Sequence, residues 1–132
     1  MCIFCKIANG SVPTKKIFED ENIFVFLDHS NFYYGHTLVI PKKHFENIFD
    51  IDSDSLNAVI EGVQKVAWHY KSLGFTGINY ISNSGESAGQ EVFHLHIHVI
   101  PRSDDLSGSL NDLPKLSHPR DFDAEHEFLK MM

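Results

Sequence analysis

The period of the apolar positions changes several times along the chain, and each change marks an element. Lys16-Ile17-Phe18-Glu19 and Ile23-Phe24-Val25-Phe26-Leu27 are short apolar runs on either side of Asp20-Glu21-Asn22, the pattern of two strands across a tight turn. A third run, Gly35-His36-Thr37-Leu38-Val39-Ile40-Pro41, predicts another strand, closed by Pro41-Lys42-Lys43-His44. The period then becomes helical. Leu56, Val59, Ile60, Val63, Val66, Ala67, Tyr70 and Leu73 recur every three or four residues, so one helix is expected from about 53 to 73, with Asp52 or Ser53 as N-cap and Gly74 as the stop. Gly62 inside it costs about 1 kcal/mol against Ala, which the stripe outweighs, and His69 is expected at the boundary of the stripe. Residues 75–82 read as a fourth strand and 83–90 as a loop of small and polar residues.

The next run is Phe93-His94-Leu95-His96-Ile97-His98-Val99-Ile100-Pro101-Arg102, three histidines in strict alternation with apolar residues. In a strand this places His94, His96 and His98 on one face and Leu95, Ile97 and Val99 on the other, toward a core. At roughly 3.3 Å per residue, His94 and His98 are about 13 Å apart along the backbone, too far to ligate one metal ion. The three must divide their labour. After Arg102 the chain is rich in Asp, Ser, Gly and Pro to about residue 119, and 121–129 can form a short helix. His118 and His126 are expected to face solvent. The order β-β-β-α-β-β predicts an α+β domain with an antiparallel sheet of about five strands and one long helix. Residues 1–102 form its body, and 103–132 are a tail of the same domain.

Composition narrows the function. A chain of 132 residues with 42% apolar residues and eleven Phe suits one globular domain. A net charge of −7, from 11 basic and 18 acidic residues, argues against a nucleic-acid polymer as partner, although a few donors can still hold one phosphate. No long apolar run and no signal peptide are seen, so no membrane association and a cytoplasmic location are expected. Two cysteines, Cys2-Ile3-Phe4-Cys5, suggest metal or redox chemistry in a reducing compartment rather than a disulfide scaffold.

Two chemistries compete for the histidines. A Cys-x-x-Cys is half of a zinc site, and His94 and His44, at strand ends, are candidates for the other half. A catalytic metal held by His94 and His96 with His36 is a second use, disfavoured by the scarcity of carboxylates nearby. The loop 83–90 instead offers backbone N–H groups and amide donors suited to a phosphate. A neutral histidine with one ring nitrogen held by a carbonyl can attack phosphorus through the other and form a covalent phosphoramidate, and His98 and His36 can supply hydrogen bonds to the phosphoryl oxygens. Asp28, at a strand end, either caps its own turn or holds a ligand.

His94-Leu95-His96-Ile97-His98-Val99-Ile100 resembles the signature of the histidine triad (HIT) superfamily, in which three histidines alternate with apolar residues. Asp28, Gly35-His36-Thr37-Leu38-Val39-Ile40-Pro41, Asn83-Ser84-Gly85 and Ala88-Gly89-Gln90 stand where that family's other motifs stand. Over residues 2 to 102 the chain looks most like the Hint branch, relatives of the protein kinase C-interacting proteins. The resemblance implies a HIT-like fold and a nucleotide phosphoramidase or hydrolase that releases a purine nucleoside monophosphate (AMP or GMP type) through a nucleotidyl-histidine, with no catalytic metal. It implies His96 as nucleophile, His98 and His36 at the phosphate, Asn83, Gly89 and Gln90 around it, Asp28 on the ribose hydroxyls, structural zinc on Cys2, Cys5, His44 and His94, and a homodimer. Glu91 departs from the pattern, standing beside the phosphate where relatives commonly carry Ser or Thr. The alternatives within this frame are a dinucleoside polyphosphate hydrolase, a nucleotidyltransferase, or a nucleotide-binding module with weak catalysis.

Overall fold

The structure, a computed structural model, describes residues 2–104 and 119–132. His118 and most of the expected loop after Arg102 lie outside the described residues. Five strands form one antiparallel sheet: β1 (Lys16–Glu19), β2 (Ile23–Leu27), β3 (Thr37–Pro41), β4 (Gly77–Ile81) and β5 (Ile97–Arg102), in the order β1-β2-β3-β5-β4. Three helices accompany them: α1 (Ile3–Ala8), α2 (Ser53–Ser72) and α3 (Phe122–Leu129). The expected α+β architecture, the first strand pair and the long helix are found as read.

The central strands β2 and β3 are buried at every position because the sheet is covered on both faces. One face meets α2. Val59, Val63, Val66 and Tyr70, spaced four, three and four apart, pack on Ile23, Val25, Val39, Ile97 and Val99. Asp52 caps α2 by accepting the Ser55 N–H at 2.7 Å, a bond worth about 1 kcal/mol. Gly62 lies where the helix comes closest to β2, and a Cβ there would run into the Ile23 side chain. This close approach, not tolerance of a poor helix former, explains the glycine. The other face carries a second cluster, in which Phe4 and Ile7 of α1 cover Phe24, Phe26, Leu38 and Ile40.

Two expectations need correction. The histidine run enters the sheet only at Ile97, so His94 and His96 precede the ladder. Their approach is held by other bonds, from Leu95 N–H to the Phe45 carbonyl (2.7 Å) and from the Ser82 hydroxyl to the His96 carbonyl (2.7 Å). The alternation survives, since Leu95, Ile97 and Val99 all enter the α2-side core. His126 is half-buried rather than solvent-facing, with Nε2 2.7 Å from the Lys16 carbonyl oxygen. The short helix expected in the C-terminal segment is present as α3, and the segment is docked on the core. Leu129 is fully buried, Met131 N–H donates to the Ile17 carbonyl, and His69 Nε2 lies 2.9 Å from the Leu129 carbonyl oxygen.

Candidate active site

A cleft of about 830 Å³ opens on the α1 face of the sheet. Ile3, Phe4, Ile7, Phe26, Phe32 and Leu38 make its apolar wall, and His96, His98, Asp28, Asn83, Gly89 and Glu91 its polar one. β5 carries His98 opposite Leu38 of β3 and Ile81 of β4, while His96 sits two residues earlier, its ring against the edge of Phe4 with centroids 5.1 Å apart. The ring centroids of His96 and His98 are 5.0 Å apart.

His96 Nδ1 lies 2.8 Å from the carbonyl oxygen of His94. A carbonyl only accepts, so Nδ1 carries the proton and Nε2 keeps its lone pair. Burial holds His96 below the ordinary imidazole range despite the opposing pull of the His94 carbonyl, so the ring is neutral near pH 7. A neutral imidazole with one free nitrogen at the floor of a cleft is what nucleophilic attack requires.

His98 and His36 form a row behind it. His36 Nε2 is 2.9 Å from His98 Nδ1, and His36 Nδ1 is 3.3 Å from Asp28 Oδ2. Burial drives both imidazoles down to about 4, and in His98 the neighbouring rings of His36 and His96 add to it. Burial alone would raise the Asp28 carboxyl, but His36 and the hydrogen bonds from Ser30 outweigh it and hold it below its usual range. Asp28 caps its own turn and also stands where a ligand could reach it. Oδ2 accepts the Ser30 N–H at 3.1 Å, and the residue also lines the cleft. His36, expected at the phosphate, is 7% exposed and stands behind His98 rather than on the wall of the cleft.

The loop after β4 divides in the same way. Asn83 and Gly89 face the cleft. Gly89 has φ +92°, a left-handed conformation that favours glycine. Gln90, expected around the phosphate, is turned inward instead. Its Nε2 donates to the carbonyls of Glu46 (2.6 Å) and Val92 (3.1 Å), and its Oε1 accepts from Gly85 N–H (2.8 Å) and Asn47 Nδ2 (3.2 Å). All four valences of the amide are used, so Gln90 shapes the loop and has none left for a ligand. Glu91 is exposed and lines the cleft.

Cys2, Cys5, His44 and His94 converge beside this cleft. The six distances among Cys2 Sγ, Cys5 Sγ, His44 Nδ1 and His94 Nδ1 run from 3.1 to 3.6 Å. Ligands at the usual zinc distances of about 2.0–2.3 Å in a tetrahedron have edges of about 3.3–3.8 Å, so these four could hold a metal ion. His94 Nε2 lies 2.8 Å from the Pro41 carbonyl oxygen, which assigns the proton there and turns the Nδ1 lone pair into the group. With both His94 nitrogens committed and His36 on His98, the fold does not make a His94–His96–His36 metal site.

The HIT domain model matches residues 9–105 of the chain. The chain belongs to the HIT domain family. It is 51% identical over 102 residues to an uncharacterised HIT-like protein of Methanocaldococcus jannaschii, covering 77% of this chain and 79% of that one. It is 35% identical over 122 residues to the adenosine 5′-monophosphoramidase of Saccharomyces cerevisiae, covering 92% and 74%. A zinc-bound histidine triad protein of Mycobacterium smegmatis superposes with a TM-score of 0.83 at 34% identity, covering 98% of this chain and 90% of that one.

Two parts of this HIT domain were missed in the sequence. α1 is six residues long, and its N-cap is the thiol sulfur of Cys2, which accepts the Cys5 N–H at 3.1 Å. Thiols are not a usual capping signal, and so short a helix carries little periodicity. The apolar spacing of Ile3, Phe4 and Ile7 was the available clue. Arg120 and Glu125, buried under the loop that bears Asp28, gave no signal at all, because nothing in a polar segment marks a charge that will be enclosed.

Proposed function

We propose that this HIT domain hydrolyses a nucleoside monophosphate, of purine type, from an amine leaving group through a nucleotidyl-histidine on His96. The observation that carries this reading is the His94 carbonyl on His96 Nδ1, which leaves Nε2 as the reacting atom. The apolar wall of Ile3, Phe4, Ile7 and Phe32 suits a base, and Asp28 suits two vicinal ribose hydroxyls. The phosphate then lies between His96, His98, Asn83 and Gly89. His96 Nε2 attacks the α-phosphorus in line. The P–N bond breaks, the leaving amine takes a proton from solvent, and the nucleotide is held as a phosphoramidate on Nε2. Water attacks the same phosphorus next and gives up a proton, the P–Nε2 bond breaks, and the monophosphate and a neutral His96 are released. Asn83, on the polar wall of the cleft, donates to a phosphoryl oxygen as negative charge gathers there. His98, its Nδ1–H given to His36 Nε2, keeps its Nε2 lone pair to take a proton from the attacking water. The likeness to the yeast monophosphoramidase supports the leaving group. Brief reaction with an adenosine phosphoramidate, acid quench and peptide mass spectrometry test the reading. The expected result is one AMP on His96, and an adduct on any other residue overturns it.

Glu91 sets an upper limit on affinity. An exposed carboxylate near an anionic ligand opposes it by about 1 kcal/mol, an effect screened by salt. Glu91→Gln is expected to lower KM for the phosphoramidate roughly three- to fivefold at low salt, the gain shrinking at high salt. An unchanged KM across the salt range would show that the carboxylate points away.

We further propose that the protein acts as a homodimer through α2 and β4. β4 is an edge strand, and Tyr80 on it is 61% exposed, while Ile60 and Trp68 of α2 are 47% and 62% exposed. Trp68→Glu is expected to shift the sedimentation coefficient from dimer to monomer. A parent that already sediments as a monomer defeats this proposal.

A further inference from the structure

Among the Lys and Arg ion pairs of the described residues, Arg120–Glu125 alone has both side chains buried, at 0% and 2% exposed. Taking both charges out of water costs several kcal/mol per ion, and an apolar pair would seat α3 as well. An apolar pair could not, however, hold backbone polar groups. Arg120 Nη1 donates to the carbonyls of Asp28 (2.7 Å) and Ser30 (2.8 Å), and Nη2 reaches the carbonyl of His36 (3.5 Å). Glu125 Oε1 accepts the N–H of Gly35 at 2.8 Å, while both its oxygens bind the guanidinium. The Arg120 N–H also donates to Asn31 Oδ1, and its guanidinium stacks over Phe122 at 4.5 Å.

Every one of these backbone partners lies in the single connection between β2 and β3. That connection begins at Asp28, which lines the cleft, and ends at His36, which orders His98. Its two ends are pinched together by the bond from Asp28 N–H to the His36 carbonyl at 2.8 Å. A planar guanidinium can serve a carboxylate on one edge and carbonyls on the other at once, which a lysine ammonium cannot. We propose that Arg120 and Glu125 are positioning residues that fix the Asp28 carboxylate for the ribose hydroxyls, so that the C-terminal segment sets the selectivity for ribonucleotides. This rests on the ribose reading of Asp28.

The test is calorimetric binding of AMP and its 2′,3′-dideoxy analogue to the full chain, to Arg120→Lys, to Asp28→Asn and to the double variant. A hydrogen bond to a charged acceptor implies a preference for AMP of roughly tenfold or more in the parent. Arg120→Lys is expected to collapse that preference to within about threefold, as Asp28→Asn does, with no further loss in the double variant. A merely structural role would weaken both ligands equally and keep the ratio. That outcome, with Asp28→Asn still losing the preference, overturns the positioning role and leaves the ribose reading standing. A parent that binds both ligands equally overturns the two together. Should Arg120→Lys fail to fold, Glu125→Gln, which keeps the shape and one acceptor oxygen, carries the same comparison.

Discussion

His96→Ala is expected to abolish turnover, by at least about a thousandfold, while leaving nucleotide affinity within a few-fold of the parent. The separation follows from where the residue sits. His96 lines the cleft at its floor, but the apolar wall, Asp28 and Asn83 are carried by other elements and stay in place when the ring is removed. His98 cannot take over the attack, because its ring sits one strand step away from the place of attack, 5.0 Å between centroids. The pH profile supplies a second readout. Burial depresses the pKa of His96, of His98 and of His36 behind it, so protonation that silences them sets in below the ordinary value of 6.5, and the acid limb of activity is displaced downward accordingly. Normal turnover by the His96→Ala protein would end the proposed mechanism, and tight binding with no product in the parent would favour a binding module.

How far the site was legible depended on whether its chemistry ran along the chain or across it. The division of labour in the histidine run was legible because rise per residue is a local quantity. Thirteen ångströms between His94 and His98 excludes a shared ion before any fold is known. The geometry separates them as that distance requires, with His94 turned to the cysteines and His98 paired with His36. The β1–β2 turn and α2 were legible for the same reason, since turn residues and a 3.6-residue period are written in neighbouring positions.

Long-range bonding was not legible. Gln90 is a polar residue beside Gly89 in a loop of small side chains, and nothing local distinguishes an amide aimed at a ligand from one aimed at Glu46, forty-odd residues away in sequence. His36 sits in a motif that points to phosphate, yet its depth behind His98 depends on how β3 and β5 pair. Arg120 and Glu125 are the extreme case. Their partners lie about 90 residues upstream, and only the docking of α3 brings them together. Each of these residues supports the cleft from behind.

Removing the candidate metal ligands is expected to act on stability and on the cleft more than on the proposed chemical step. The parent should carry one zinc per chain by elemental analysis, and Cys2→Ala none. The reason for a large stability effect lies in α1. Six residues are far too few for a helix to persist alone in water. Phe4 and Ile7 help it by packing on Phe26 and its neighbours, but Cys2 and Cys5 are what join it to His44 and to His94, two residues from His96. Metal bound there links residue 2 to residue 94. Its loss releases the helix that carries Ile3, Phe4 and Ile7, and a loss of several kcal/mol corresponds to a fall in Tm of about 10 °C or more for a domain of this size. Nucleotide affinity should fall with it, because part of the apolar wall goes. His96, by contrast, keeps the His94 carbonyl through the backbone, so brief chelation at moderate temperature should leave kcat largely intact in protein that remains folded. A parent free of metal, or a Cys2→Ala variant that melts with the parent, removes the site. Immediate loss of kcat in folded, chelated protein would instead move the metal into the chemistry.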